Sequence, residues 1–316
     1  MATSETQPRL HVVTGKGGTG KTTVAGALAL ALAAGGHRVL LAEVEGRQGL
    51  AQLFDRPPLD IRETRLAATR GGEVVGLSVE PEAAMLEYLE MFYSIKRGGA
   101  LLRKMGAIDF VTTIAPGLRD VLLTGKIKEA VVRAGPDGRP TFDSVVLDAP
   151  PTGRITPFLQ ATAEVADLTK LGPIHKQSVG VINLLHSAST AVHVVSLLEE
   201  MPVQETLDAA AELRAAGYRL GRVVVNRARP VLVPAGAHDE RDVADGLAEA
   251  GISPALAPAL SQQVRDYAER QAVQAHAAEE LKRVGAPIVR LPELAPPIDL
   301  GDLFELAEAL SVAEWD

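Results

Sequence analysis

Leu10-His11-Val12-Val13-Thr14-Gly15-Lys16-Gly17-Gly18-Thr19-Gly20-Lys21-Thr22-Thr23 is the stretch on which the fold turns. Leu10 to Thr14 is short, mostly apolar and rich in β-branched residues, which predicts a buried strand. From Thr22 to Ala34 the chain is rich in Ala and Leu, which predicts a helix, and Gly35-Gly36 ends it. Between them Gly15 to Thr23 satisfies the P-loop pattern, with Gly15 and Gly20 at its ends and Lys21-Thr22 closing it. Gly15, Gly17, Gly18 and Gly20 let the backbone around Thr19 turn its N–H groups toward phosphate oxygens. The new helix, opening on Thr22 and Thr23, adds its positive end. Lys21 is expected to neutralise the β- and γ-phosphates, and the Thr22 hydroxyl to bind Mg²⁺. Gly15, Gly17 and Gly20 also spell a dinucleotide fingerprint, with Glu43 or Glu45 at the end of the next strand. Lys21-Thr22 decides between the two, because a dinucleotide site needs neither a lysine nor a hydroxyl there.

Working outward, further buried strands are predicted at Arg38–Ala42, Val74–Val79, Ser144–Leu147, Val192–Leu197, Arg222–Val225 and Ile288–Leu291. A helix is expected from about Gln204 to Ala216, and another from Asp299. Strands that are apolar throughout need cover on both faces, so the expected fold is α/β: a doubly wound, mostly parallel sheet. Pro81 to Arg133 is too long for one crossover and reads as several helices. Val231 to Asp239 reads as a surface loop. No linker divides the chain, so one domain over residues 1–316, with a helical insertion at about 81–133, is expected.

Composition excludes whole classes of function. The 316 residues contain no cysteine, so disulfides, a thiolate zinc site and a thiol nucleophile are ruled out. A net charge of -8 argues against nucleic acid as a partner. The start of the chain lacks the basic and apolar regions of a signal peptide. The most apolar run, Val24 to Ala34, is roughly half of what a bilayer span needs. A soluble cytoplasmic protein, not itself transmembrane, is expected. The seven histidines are scattered and form no ligand-spaced pair.

A second motif follows the strand at Ser144–Leu147: Asp148-Ala149-Pro150-Pro151-Thr152-Gly153-Arg154. A carboxylate at the end of a strand beside a P-loop serves Mg²⁺ or its water shell, which makes Asp148 a candidate. A glycine soon after can present its N–H to the γ-phosphate and sense its loss, which singles out Gly153.

Lys16 adds a second lysine inside the loop. The run Lys16-Gly17-Gly18-Thr19-Gly20-Lys21-Thr22 resembles the deviant Walker A loop of the ATPases that include MinD, ParA, the nitrogenase iron protein and ArsA. Asp148 to Arg154 is similar to the switch II segment of ArsA and of the guided-entry ATPase that delivers tail-anchored membrane proteins, with Arg154 in place of the usual histidine. Ala115 to Asp120, Pro202 to Thr206, Val225-Asn226 and Leu291-Pro292 resemble further segments of that family. The likeness therefore runs over nearly the whole chain, closest to the actinobacterial branch labelled anion-transporting ATPases.

The resemblance implies an ATPase with ATP and Mg²⁺ as cofactors, in which Lys16 reaches across a nucleotide-sandwich dimer. It also implies that Asn226 and Pro292 flank adenine. The dimer would be formed with an identical chain or with a paralogous subunit. Asn226-Arg227-Ala228-Arg229 lacks the acid of a guanine-binding Asn-Lys-x-Asp, which favours ATP.

Two departures from the family pattern matter. In the switch I segment Glu45 stands where the family has the aspartate that orients the attacking water. Glutamate moves the carboxylate by one methylene, and misplacement near 1 Å can cost about 100-fold. Glu45 is carried as a catalytic candidate; the alternative is that Glu43 or Glu45 only caps a strand. The family's arsenite and zinc chemistry uses thiolates, and this chain has none.

Met85, Tyr88, Leu89, Phe92 and Tyr93 fall at helical spacing in the insertion, with Met91 and Met105 nearby. Such a stripe is either ordinary core or an output surface for a hydrophobic client such as a membrane-protein helix. The readings that follow are a hydrolysing dimeric switch, a nucleotide-gated scaffold, or a targeting factor for apolar helices. A Rossmann oxidoreductase stands furthest off.

Overall fold

The computed structural model describes residues 7–44, 46, 48–81, 83–84, 116–168, 173–233 and 240–312. Its centre is an eight-stranded sheet. The strands are β1 (Leu10–Gly15), β2 (Arg38–Glu43), β3 (Thr64–Ala68), β4 (Glu73–Ser78), β5 (Ser144–Asp148), β6 (Thr190–Ser196), β7 (Leu220–Ala228) and β8 (Ile288–Pro292). Their spatial order is β3-β4-β2-β5-β1-β6-β7-β8. Seven strands run parallel. β3 alone is antiparallel, joined to β4 by a tight turn in which Thr69 N–H donates to the Gly72 carbonyl.

The described helices are α1 (Lys21–Ala34), α2 (Gly49–Leu53), α3 (Pro116–Val132), α4 (Thr152–Leu168), α5 (Pro173–Leu185), α6 (Glu200–Ala215), α7 (Glu240–Glu249), α8 (Ala257–Leu281) and α9 (Leu300–Val312). Every residue of β1 and β6 is buried, because helices cover both faces of the sheet. Alternate side chains go to opposite layers. Val13, Val39, Leu41 and Val195 pack with α1 and α9, while Val12, Leu40, Ala42 and Val194 pack with α3, α4 and α5. α1 is apolar nearly all round, as a helix wedged between sheet and α9 must be.

The predicted strands all form, and the doubly wound, mostly parallel sheet is the fold. β3 was not predicted: Thr64-Arg65-Leu66-Ala67-Ala68 is a half-exposed edge with a register shift after Arg65, and it carries no apolar run. α8, 25 residues long, was also not predicted; Pro258 sits in its first turn and it is buried on one side only.

The order of strands reverses at β1, which lies between β5 and β6. In open α/β sheets the crevice at the carboxyl ends beside such a point receives the ligand. Gly15 ends β1 there, and Asp148 ends β5 beside it.

No described helix is long and apolar enough to cross a membrane. The stripe Met85, Tyr88, Leu89, Phe92 and Tyr93, with Met91 and Met105, lies outside the described residues.

Candidate active site

The loop after β1 turns on Gly18 (φ 90°) and Gly20 (φ 88°), and Gly20 is the residue on which α1 starts. At Gly17 and Gly18 an added Cβ would meet nothing within 4 Å, so that side of the loop is open. The rest is tied down. Thr19 Oγ1 donates to the Lys16 carbonyl at 2.8 Å. Asn226, from β7, donates through Nδ2 to the Thr19 carbonyl at 2.9 Å. These bonds hold the loop as a cradle.

Two oxygen-bearing side chains meet at its edge. Thr22 Oγ1, in the first turn of α1, donates to Asp148 Oδ2 at 2.7 Å. Hard oxygen donors of this kind suit Mg²⁺, which keeps waters and substrate phosphates for its other positions. No group of three or more His, Cys, Asp or Glu that could hold a metal exists among the described residues. An ion held jointly by protein and phosphate fits this donor set; an all-protein cage does not. Thr22 and Asp148 would hold Mg²⁺, and it would supply charge neutralisation to the phosphates. Lys21 is half-buried and has no hydrogen-bond or ion-pair partner among the described residues, so its charge is available to an anion in the cradle.

Lys16 is placed differently. Its Nζ donates to Glu205 Oε1 of α6 at 2.6 Å, and Glu205 Oε2 accepts from Thr152 Oγ1 at 3.3 Å. The second loop lysine is thus paired within its own chain, to α6, and Glu205 links it to Thr152, the first residue of α4. Gly153 follows directly, with open space where a Cβ would stand. Arg154 pairs with Asp120 of α3 at 3.6 Å. Burial raises the Asp120 pKa, and Arg154 and Arg119 oppose that.

Asn226 and Pro292 come together with Thr23 in a cavity of about 200 Å³, walled further by Arg227, Leu294 and Ile298. Its lining includes Thr23 of α1 but none of the loop residues Gly15 to Gly20. Arg227 sits at φ 54°, which bends the end of β7 around this cavity where the β7–β8 register shifts.

Glu45 lies outside the described residues. Its neighbour Glu43 is 4% exposed and does hold the chain end. Its Oε1 accepts from Gln48 N–H at 3.1 Å and its Oε2 from Leu50 N–H at 3.2 Å. Ser78 Oγ also donates to Oε1, at 3.3 Å. Glu43 therefore anchors the start of α2. A Cβ at Gly49 would lie 3.2 Å from Thr22 Cγ2, so the start of α2 lies against Thr22.

The structure adds three residues that sequence reading did not assign a site role: Glu205, Thr152 and Glu43 as the anchor of α2. Lys16 and Glu205 are 189 residues apart, and no local pattern pairs them. For Glu43 the only signal was a carboxylate at a strand end, and two stood there.

The family model for anion-transporting ATPases matches residues 9–188. The chain is 52% identical over 314 residues to the ATPase BagA of Mycobacterium tuberculosis, covering 96% of this chain and 92% of that one. A putative ATPase of Mycobacterium bovis is similar to the same degree. More distant is an arsenical pump-driving ATPase of Escherichia coli, 26% identical over 256 residues, which covers 72% of this chain and 40% of that protein. The loop Gly15–Thr23 and the Thr22–Asp148 pair both lie within the matched region, and the chain belongs to the anion-transporting ATPase family, as an ATPase whose cofactors are ATP and Mg²⁺.

Proposed function

We propose that this chain is a dimeric switch that closes around ATP and reopens after hydrolysis. The observation that carries the reading is the contrast between its two loop lysines. Lys21 has no protein partner among the described residues, and the loop beside it is open at Gly17 and Gly18. Lys16 is paired, but only through a contact in which it is 31% and Glu205 36% exposed. An ion pair that exposed is worth about 1 kcal/mol or less. A closely held phosphate on a second subunit outcompetes it. Lys16 then leaves Glu205 and acts in trans, while Lys21 serves the phosphates of its own subunit.

In this reading Gly15, Gly17, Gly18, Thr19 and Gly20 offer backbone N–H groups to the phosphates. Thr22 and Asp148 hold Mg²⁺, and Thr23, Asn226 and Pro292 line the base. Glu45 orients the water, and Gly153 reports the γ-phosphate. Because Thr152 shares Glu205 with Lys16, release of Lys16 loosens the start of α4 beside Gly153. The partner is a second copy or a paralogue. The helical insertion carries the output, with a hydrophobic client such as a membrane-protein helix as the class it suits.

Pumping of arsenicals belongs to the names of the distant relatives. With no cysteine, trivalent arsenic finds no thiolate here.

Lys21→Ala and Lys16→Ala separate the roles. Lys21→Ala is expected to lose ATP binding. Lys16→Ala is expected to keep ATP binding as a monomer, by light scattering, and to lose turnover at least 100-fold. Wild-type turnover by Lys16→Ala, or ATP-independent mass in the wild type with every candidate paralogue, overturns the dimer reading.

A further inference from the structure

Pro157 stands inside α4 (Thr152–Leu168) rather than at its first position. A proline has no N–H. The bond that residue 157 would give to the carbonyl of Gly153, four residues earlier, is therefore missing, and the ring crowds that carbonyl. Gly153 is the residue read above as the reporter of the γ-phosphate. The helix is cut at the carbonyl of its sensing residue.

The first turn of α4 is held instead by side chains that reach other helices. Thr152 Oγ1 donates to Glu205 Oε2 of α6 at 3.3 Å, and Thr156 Oγ1 donates to Glu212 Oε2 of the same helix at 3.4 Å. Arg154 pairs with Asp120 of α3 at 3.6 Å. The chain just before the turn is fixed to β1: Thr14 Oγ1 donates to the Pro150 carbonyl at 2.7 Å, and Ala149 N–H to the Val13 carbonyl at 2.9 Å. Ile155 is fully buried and keeps the turn seated on the core. The missing bond thus leaves the turn in place and lowers the cost of tilting it against the rest of α4.

Packing does not account for the proline. Pro157 is exposed, whereas Phe158 and Leu159 beside it are buried and carry the contact of α4 with the core. Proline is the least favourable residue in a helix interior, and an exposed ring buries little surface to offset that.

We propose that Pro157 is a positioning residue for ATP hydrolysis. By withholding an N–H from Gly153 it lets the first turn of α4 tilt with the γ-phosphate while the remainder of the helix stays packed. This rests on the reading of Gly153 as the γ-phosphate reporter, and the test separates the two.

Pro157→Ala restores the missing N–H at an exposed site. Pro157→Gly restores it too, in a residue that favours helix less. Hydrogen exchange over residues 152–160 of the full-length chain is measured with saturating Mg-ADP and with saturating Mg-ATPγS, beside nucleotide affinity and steady-state turnover. In the wild type, exchange over residues 152–156 is expected to differ at least about fivefold between the two nucleotides, and in Pro157→Ala by less than about twofold. Pro157→Ala is expected to lower kcat about tenfold with ATP affinity kept within about twofold, and Pro157→Gly to fall between it and the wild type. No difference between nucleotides in the wild type overturns the Gly153 reading and this proposal with it. A wild-type difference that persists unchanged in Pro157→Ala overturns the proposal alone. So does a loss of ATP affinity as large as the loss in kcat, or a higher unfolding midpoint with wild-type kcat, which would make the proline structural only.

Discussion

Gly20 shows how much one residue of the loop carries. Its φ of 88° is a conformation that L side chains rarely adopt, and a Cβ there would strike Asn226 Nδ2. Gly20→Ala therefore costs about 1 kcal/mol in backbone strain and also displaces the amide that holds Thr19. ATP binding by Gly20→Ala is expected to fall at least tenfold in a fluorescent-nucleotide titration, with the sheet intact by circular dichroism. Asn226 itself is 5% exposed and donates to the Thr19 carbonyl. Asn226→Ala is expected to lower stability of the nucleotide-free protein by about 1–2 kcal/mol in urea. Asn226→Asp is expected to do worse, because it sets a carboxylate against that carbonyl. Equal stability of the two variants would show that the amide donor is not what matters.

Among elements, α2 is the one whose existence depends on a single side chain. It is five residues long, too short to persist alone, and its N-cap Gln48 sits at φ 55° with no capping side chain of its own. Glu43 replaces the missing cap by accepting two backbone N–H groups at once. Glu43→Gln puts an NH₂ where one of those acceptors stood, at a cost of about 2 kcal/mol. Faster hydrogen exchange over residues 48–54, with β2 and β4 unchanged, is the expected result. This element also marks the limit of what the sequence discloses. The P-loop, its strand and its helix are legible because every part of Gly15 to Thr23 is contiguous. Glu43, Glu205 and Thr152 act across turns or layers, and their residue types are ordinary at those positions. The missed β3 has the same cause: an edge strand draws its stability from one neighbour, so its own pattern is weak.

On the scale of the whole molecule the parallel sheet was readable, because strands covered on both faces must be mostly apolar, and β1, β2 and β6 each carry a run of aliphatic residues with few polar ones among them. What the sequence did not disclose is that the same sheet buries two histidines. Burial pushes His11 from 6.5 down to about 4, with hydrogen bonding to the Pro8 backbone opposing. Burial pushes His193 well below 6.5, helped by His11, Arg222 and Arg219. In the unfolded chain both rings take up a proton near pH 6.5, while the folded protein keeps them neutral until far lower. The unfolded state thus binds more protons below pH 6.5, and stability falls as pH drops through that window. At pH 5 each histidine has cost about 2 kcal/mol, with the His11 loss levelling off near its folded value of about 4. Urea denaturation at steps between pH 7.5 and 5 is expected to show a slope that approaches two protons at the acid end. His11→Gln retains an acceptor for the His193 Nε2–H and removes one titrating ring, so its slope is expected to fall by about one proton. A slope unchanged by that substitution would mean that the buried pair does not govern the acid limit of the fold.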